Sequence, residues 1–268
     1  MVKMIKIILA AAIVFLFIGC ENEQVVNTSV AHREYTVVQA ELKPDKRFPG
    51  IRFTKTLPLG TPFDIDLAEL KNISAYLRID SVKIIPLHYT SEGMYQSLYE
   101  FYIKTGQVYE LFAERDETFI YGKTIIPGKP IIMQSNYNRN GYYLEAEVRS
   151  FQDEVYSALW IISSSNIEKA PDYYSVTVPP YITGNSTVGV RSMSLPEEYR
   201  SSEYNGDRLI QVFSFDKSFK AYFDSRTSSQ GVDDPFIQGG GSVEWNVQGD
   251  NVIGMFIGVA ESTQPNVE

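Results

Sequence analysis

The chain has 268 residues, with 24 lysines and arginines against 33 aspartates and glutamates and a formal net charge of −9. This balance excludes nucleic acid as an expected partner, because phosphate binding needs a basic surface, and it disfavours electrostatic adhesion to anionic lipid. The single cysteine, Cys20, rules out a disulfide framework.

Residues 1–19 begin with Lys3 and Lys6 and then run from Ile7 to Ile18 without a charge. A short basic region followed by roughly 7–15 apolar residues describes a secretory signal. The run is shorter than the about 20 residues a membrane-spanning helix needs. The next four residues, Glu21-Asn22-Glu23-Gln24 after Cys20, lack the Lys or Arg flank of a retained anchor. Phe17-Ile18-Gly19-Cys20 resembles the bacterial lipobox. That resemblance implies cleavage before Cys20, a diacylglyceryl group on its thiol and acylation of its amine. Two or more acyl chains anchor a protein stably, and a modified Cys20 leaves no thiol for catalysis or metal binding. Removal of residues 1–19 takes two lysines and no acid, moving the net charge to about −11. Residues 20–33 are polar and aperiodic and read as a lipidated flexible tether.

From residue 34 the pattern changes. "EYTVVQAEL", "GIRFTKTL", "ISAYLRID", "SVKIIPLHY", "QSLYEFYI", "QVYELFAE" and "TFIYGKTII" are rich in β-branched and aromatic residues and are separated by Pro and Gly turn signals. In "GIRFTKTL", Ile51, Phe53 and Leu57 share one side and Arg52, Thr54 and Thr56 the other. "DLAELKN", residues 66 to 72, predicts one helical turn at an edge. Short strands at this spacing predict an immunoglobulin-like β-sandwich over residues 34–130. Pro127-Gly128-Lys129-Pro130 closes the block, "MQSNYNRNG" comes after it, and a boundary is expected near residue 130.

A second β-rich domain is expected over residues 131–268. Its strands are "YYLEAEVRS", "VYSALWIIS", "YYSVTVPPY", "RLIQVFSF", "SVEWNV" and "VIGMFIGVA". Within "DKSFKAYFDSR", residues 216 to 226, Phe219, Tyr222 and Phe223 fit an i, i+3, i+4 stripe and Asp216 can cap the start, predicting a short helix. The polar stretch 183–207 reads as an extended surface loop. The fold class is therefore all-β. No long amphipathic helix is predicted, which excludes a doubly wound α/β sheet.

Three stretches in order, "RFTKTLPLG", "GQVYELFAERDETFIYGKTIIPGKP" and "GGGSVEWNVQGDNVIGMFIGVA", resemble the bacterial envelope lipoproteins grouped as domain of unknown function 4249. Gly106, Tyr109 and Leu111 match one motif of that family and Thr124, Ile126 and Pro127 the next; Gly254 and Phe256 approximate the last. Ala113 and Glu114 stand where the family's strand usually ends hydrophobically, and the terminal glycines are spaced differently. The resemblance implies an outer-membrane lipoprotein of the kind often encoded beside TonB-dependent receptors. It carries over no catalytic residue.

Catalytic and metal constellations are poorly supplied. The only histidines are His32, in the tether, and His88, at the end of a strand. "GNSTVG", residues 184 to 189, has the wrong spacing for a nucleophile elbow, and Ser214-Phe215-Asp216-Lys217 is a short chance match to Ser-x-x-Lys. Gly239-Gly240-Gly241 lacks the ending of a phosphate loop. Asp64 and Asp66, or Asp233 and Asp234, fall outside the calcium-loop frame and read as turn acids. No cofactor is expected.

Aromatics are the unusual class, with 18 Tyr, 15 Phe and 2 Trp. Tyr95 and Tyr99, with Phe101 and Tyr102, form one candidate binding cluster; Tyr142, Tyr143, Tyr173 and Tyr174 form another. Aromatics are also good strand formers that pair across strands, which explains such clusters without any ligand. The function expected is a non-enzymatic accessory or binding lipoprotein of the outer membrane, associated with a TonB-dependent receptor. A carbohydrate-binding or carbohydrate-active surface lipoprotein and a structural stalk are the alternatives.

Overall fold

The computed structural model describes residues 32–151, 154–164, 167–170, 175–177, 186–201, 204–229, 243–265 and 267. Cys20 and the rest of the lipobox therefore lie outside the described residues, as do Tyr173, Tyr174, Asp233, Asp234 and Gly239 to Gly241.

The described chain is all-β with two short α-helices. Its strands are β1 (Thr36–Leu42), β2 (Ile51–Lys55), β3 (Ser74–Ile79), β4 (Lys83–Tyr89), β5 (Met94–Ser97), β6 (Val108–Arg115), β7 (Thr118–Ile125) and β8 (Ile131–Asn138), followed by β9 (Tyr143–Arg149), β10 (Glu154–Ser164), β11 (Ile167–Lys169), β12 (Ser175–Thr177), β13 (Thr187–Ser194), β14 (Asp207–Asp216), β15 (Val247–Gln248) and β16 (Val252–Gln264). Helix α1 is Ile65–Ala68, α2 is Phe219–Ser229, and Glu197–Tyr199 is a 3-10 turn. No described helix is long and apolar enough to cross a membrane.

Thirteen strands form one sheet, twelve of them along the path β11-β10-β14-β16-β1-β2-β5-β4-β3-β6-β7-β15 and β12 beside β10. A second sheet has the order β13-β9-β8. Strand β16 belongs to both ends of the chain: Val252 to Gly258 run parallel to Thr36–Leu42, and Val259 to Gln264 run antiparallel to Ile210–Phe215. The path curls back on itself, since the Gly258 amide on β16 donates to Thr124 Oγ1 on β7 at 2.8 Å.

Period-2 alternation builds the first core. Ala75, Leu77 and Ile79 on β3 and Tyr109, Leu111 and Ala113 on β6 point inward against Val38, Phe53 and Phe256. Their neighbours Tyr76, Arg78 and Phe112 point outward, where Tyr76 and Phe112 stack at 5.0 Å and Arg78 covers Phe112 at 4.7 Å. Arg78 also forks onto the buried Glu110 at 2.8 and 3.0 Å. The Arg78 guanidinium holds the Glu110 carboxyl below the ordinary glutamate range. Thr54, expected to face out, is buried; it is flanked by Val37 on β1 and by an isolated bridge to Glu69, and Gly93 packs close to its methyl group.

Strands β10 and β14 explain why "VYSALWIIS" and "RLIQVFSF" read as nearly unbroken apolar runs. Tyr156, Ala158, Trp160, Ile210 and Val212 face the β13-β9-β8 sheet, while Val155, Leu159, Phe213 and Phe215 face α2 and β16. A strand buried on both faces loses its polar alternation.

Four local readings change. The polar stretch expected as a surface loop over 183–207 contains β13, whose Val188, Val190 and Ser192 alternate inward against β9; a strand with a small polar inward residue hides its period. "SVEWNV", expected as a strand, is among its described residues strand only at Val247, which pairs with Gly122 on β7. "QSLYEFYI" is strand only to Ser97, after which Tyr102 keeps one isolated bridge to Arg47. The helical turn expected over 66–72 begins earlier, at Ile65, because the Asp64 carboxylate accepts the Asp66 amide at 2.9 Å and caps it.

Candidate functional site: a cationic, aromatic-walled groove

The outward face of β16-β1-β2-β5 is the floor of a groove. Register places Met255, Gln39, Arg52 and Met94 side by side across these four strands. Helix α2 stands on the β16 side of this floor. Asp216 Oδ1 accepts the Ser218 amide at 2.8 Å just before the helix starts, while its other oxygen holds the Ile125 amide. The expected stripe then packs as predicted: Phe219 lies 4.1 Å from Phe215 and 4.5 Å from Phe223 between ring centroids. Tyr222 stacks on Phe219 at 5.5 Å and meets Trp245 at 5.4 Å. Phe215, Phe219, Tyr222 and Trp245 thus form a continuous aromatic wall, and the cavity between wall and floor holds about 800 Å³. Drug-sized ligands occupy pockets of about 300–1,000 Å³.

The rim is basic in an otherwise acidic chain. Lys43, Lys46, Arg47 and Arg52 line the groove, against one acid, Glu41, among the described lining residues. Lys43 is shared between Glu41 at 3.2 Å and Glu261 at 3.3 Å. Burial pushes its ammonium down, but the two carboxylates outweigh that and hold it above the ordinary lysine value. Arg47 pairs with Glu100 at 2.8 Å. Arg52 reaches Glu92 only at 3.8 Å, and its Nε is buried without a hydrogen-bond partner. Lys46 is exposed. The groove therefore offers apolar contact on one side and unspent cationic donors on the other.

Comparison with known protein families and with curated proteins finds no match to this chain. The groove's own chemistry carries the functional reading.

The tyrosines expected to form binding faces are distributed differently. Tyr95 is a core residue, 1% exposed; its hydroxyl donates to Leu70 O and accepts the Ile73 amide, both at 3.0 Å. It is therefore corrected from surface ligand contact to core anchor. Tyr99 is exposed and lines a smaller cavity of about 320 Å³ with Phe101; Arg47 and Pro49 border both this cavity and the groove. Tyr142 and Tyr143 sit at the β8–β9 hairpin, Tyr142 exposed with φ 56° and Arg200 over its ring at 4.7 Å, Tyr143 with Arg191 over its ring at 5.6 Å. Neither belongs to the groove. His88 is exposed on the outward side of β4. Ser214, from the Ser-x-x-Lys match, is fully buried and donates to Gly128 O at 2.6 Å. Among the described residues no group of three or more His, Cys, Asp or Glu side chains is placed to hold a metal ion.

Arg52, Phe215 and Trp245 were not expected at a site. Arg52 was legible as outward-facing and Phe219 and Tyr222 as a helical stripe. What brings them together is the parallel β1–β16 pairing, which joins segments more than two hundred residues apart and leaves no local signal.

Proposed function

We propose that this chain is a non-enzymatic binding lipoprotein of the outer membrane, anchored through lipid on Cys20, whose ligand site is the groove over β16-β1-β2-β5. The observation that carries the reading is the groove itself: about 800 Å³, walled by Phe215, Phe219, Tyr222 and Trp245 and rimmed by cations. The lipobox and the polar tether of residues 20–33 support the anchor, and the strand pattern of residues 34–130 supports a sandwich of immunoglobulin-like type. The resemblance to the 4249 lipoproteins supports a place beside a TonB-dependent receptor, to which the protein would present or hand over what it binds.

Fractionation of producing cells tests the address. The wild-type chain is expected to stay with outer membranes through high-salt washing, whereas Cys20→Ala is released into the aqueous fraction. Equal release of both sinks the lipid anchor. Crosslinking in intact cells tests the partner, with a β-barrel receptor expected to co-purify; repeated recovery without one removes the receptor from the reading.

A further inference from the structure

We infer that the groove selects small anionic amphiphiles: molecules with an apolar or aromatic body and a single anionic head such as a carboxylate. This inference rests on the reading of the groove as a ligand site and adds the class of ligand. The head is received at Arg52 and Lys46, and the body lies against the α2 wall.

Arg52 carries the argument. Its Nε is buried, has no hydrogen-bond partner, and belongs to a side chain that lines the groove. The side chain is 39% exposed, so the rest of the guanidinium can meet a ligand, and its planar fork of donors matches a carboxylate. Its nearest acid, Glu92, stands at 3.8 Å, beyond hydrogen-bond reach. Lys46 lies on the same rim, so a second cation can share one anionic head. Lys43 and Arg47 are committed to carboxylates at 3.2 Å and 2.8 Å and are largely neutralised by them, which leaves the head to Arg52 and Lys46. The opposite wall is rings, with Tyr222 and Trp245 only half buried, so apolar surface faces the cavity. A neutral head accepts only an ordinary hydrogen bond from Arg52 and brings no counter-charge, whereas an anion makes the stronger charge-assisted bond and a cation is repelled by Arg52 and Lys46. Charge complementarity thus commits the site to an anion, and the wall commits it to an amphiphile.

The chain carries its own reporter. Of its two tryptophans, Trp160 is buried in the second core and Trp245 lines the groove, so a Trp160→Phe background makes emission a measure of groove occupancy. The probes are 4-butylbenzoate and its neutral counterpart 4-butylbenzyl alcohol, titrated into the purified full chain. The benzoate is expected to shift Trp245 emission saturably and to bind about tenfold or more tightly than the alcohol. Arg52→Gln is expected to lower benzoate affinity about tenfold while leaving the alcohol unchanged, as removal of a charge-assisted bond does. Lys46→Gln, at an exposed position, gives a smaller loss in the same direction and guards against misfolding of the Arg52 variant. Glu92→Gln, which removes the competing acid, is expected to raise affinity. If benzoate and alcohol bind equally, or Arg52→Gln, folded by circular dichroism, binds both as before, the anionic inference is overturned while the groove stands as a ligand site. If neither probe moves Trp245 emission, the ligand-site reading itself falls.

Discussion

Asn246 stands in for a missing strand beside Phe256. Its Nδ2 donates to Phe256 O at 2.6 Å and its Oδ1 accepts the Phe256 amide at 2.8 Å, so one side chain satisfies both main-chain groups of a fully buried residue. Phe256 is central to the first core, and Trp245, the neighbour of Asn246, is part of the groove wall. A single amide therefore ties the edge of the core to the edge of the site.

Asn246→Ala removes both bonds and leaves two buried main-chain groups unmet. A loss of about 2–4 kcal/mol is expected, from about 1–3 kcal/mol for each stranded group with some recovered by relaxation. Asn246→Asp keeps an acceptor for the Phe256 amide but turns a carboxylate oxygen toward the Phe256 carbonyl, so it should be no better than alanine. Urea unfolding measures both. Retention of wild-type stability by Asn246→Ala would show that water replaces the amide and that the bridge is incidental.

Gly254 sits in the parallel pairing on which the groove depends, opposite Val38. Its φ is +123°, and a Cβ there would run into the Val38 carbonyl and amide on β1. Neither backbone strand can step aside without losing the β1–β16 ladder. Gly254→Ala is expected to cost at least ~2 kcal/mol, from strained backbone and overpacking together. Gly106 provides the contrast: its φ is +78°, but nothing stands near a built Cβ, so Gly106→Ala should cost only about 1–2 kcal/mol of left-handed strain. Thermal unfolding of the two variants side by side separates collision from backbone strain, and equal losses would refute the collision.

Phe219 links the site to the fold. It is buried against Phe215 and Phe223 and carries Tyr222 on its face. Phe219→Ala is expected to cost about 3–5 kcal/mol and to loosen the wall, whereas Tyr222→Ala, at a half-buried position, should spare most stability and cut groove affinity. Calorimetry with the Trp245 titration distinguishes the two. Similar stability loss in both would mean that the wall is core throughout.

Local elements were legible where one residue type decided them. Ala75, Leu77 and Ile79 alternate cleanly because Ser74, Tyr76 and Arg78 lie between them, and Phe219, Tyr222 and Phe223 announce α2 through their spacing alone. Strand β13 escaped because Ser192 occupies an inward position, where it satisfies the Leu144 amide at 3.1 Å instead of filling apolar space. The tyrosine clusters misled for a related reason: a tyrosine's ring suits a core as well as a surface, and only the acceptor and donor that Tyr95 finds at Leu70 and Ile73 decide which. The groove was illegible because it exists only once the last strand lies against the first, a pairing that no spacing within the sequence announces.

Glu154 contributes a stability that is lost as pH rises above the ordinary glutamate range. It is half-buried, accepting the Gly128 amide at 2.9 Å and the Tyr156 hydroxyl at 2.7 Å, and desolvation outweighs these bonds and raises its carboxyl above the ordinary glutamate range. A raised folded value means that the native state binds its proton more tightly than the unfolded chain. The resulting stability is fully present below the ordinary glutamate range and is lost as pH climbs through the raised value. Glu110, held low mainly by Arg78, acts with opposite sign and in a different window: its contribution is present above the ordinary range and lost as pH falls through its lowered value. The two therefore separate along the pH axis. Urea midpoints of wild type and Glu154→Gln, measured from pH 4 upward, are expected to converge or cross as pH rises above the ordinary glutamate range, with wild type losing its relative advantage there. Whatever constant offset glutamine imposes by replacing the acceptor of the Tyr156 hydroxyl, a difference between the two chains that does not change with pH would show that Glu154 titrates as an ordinary exposed carboxylate.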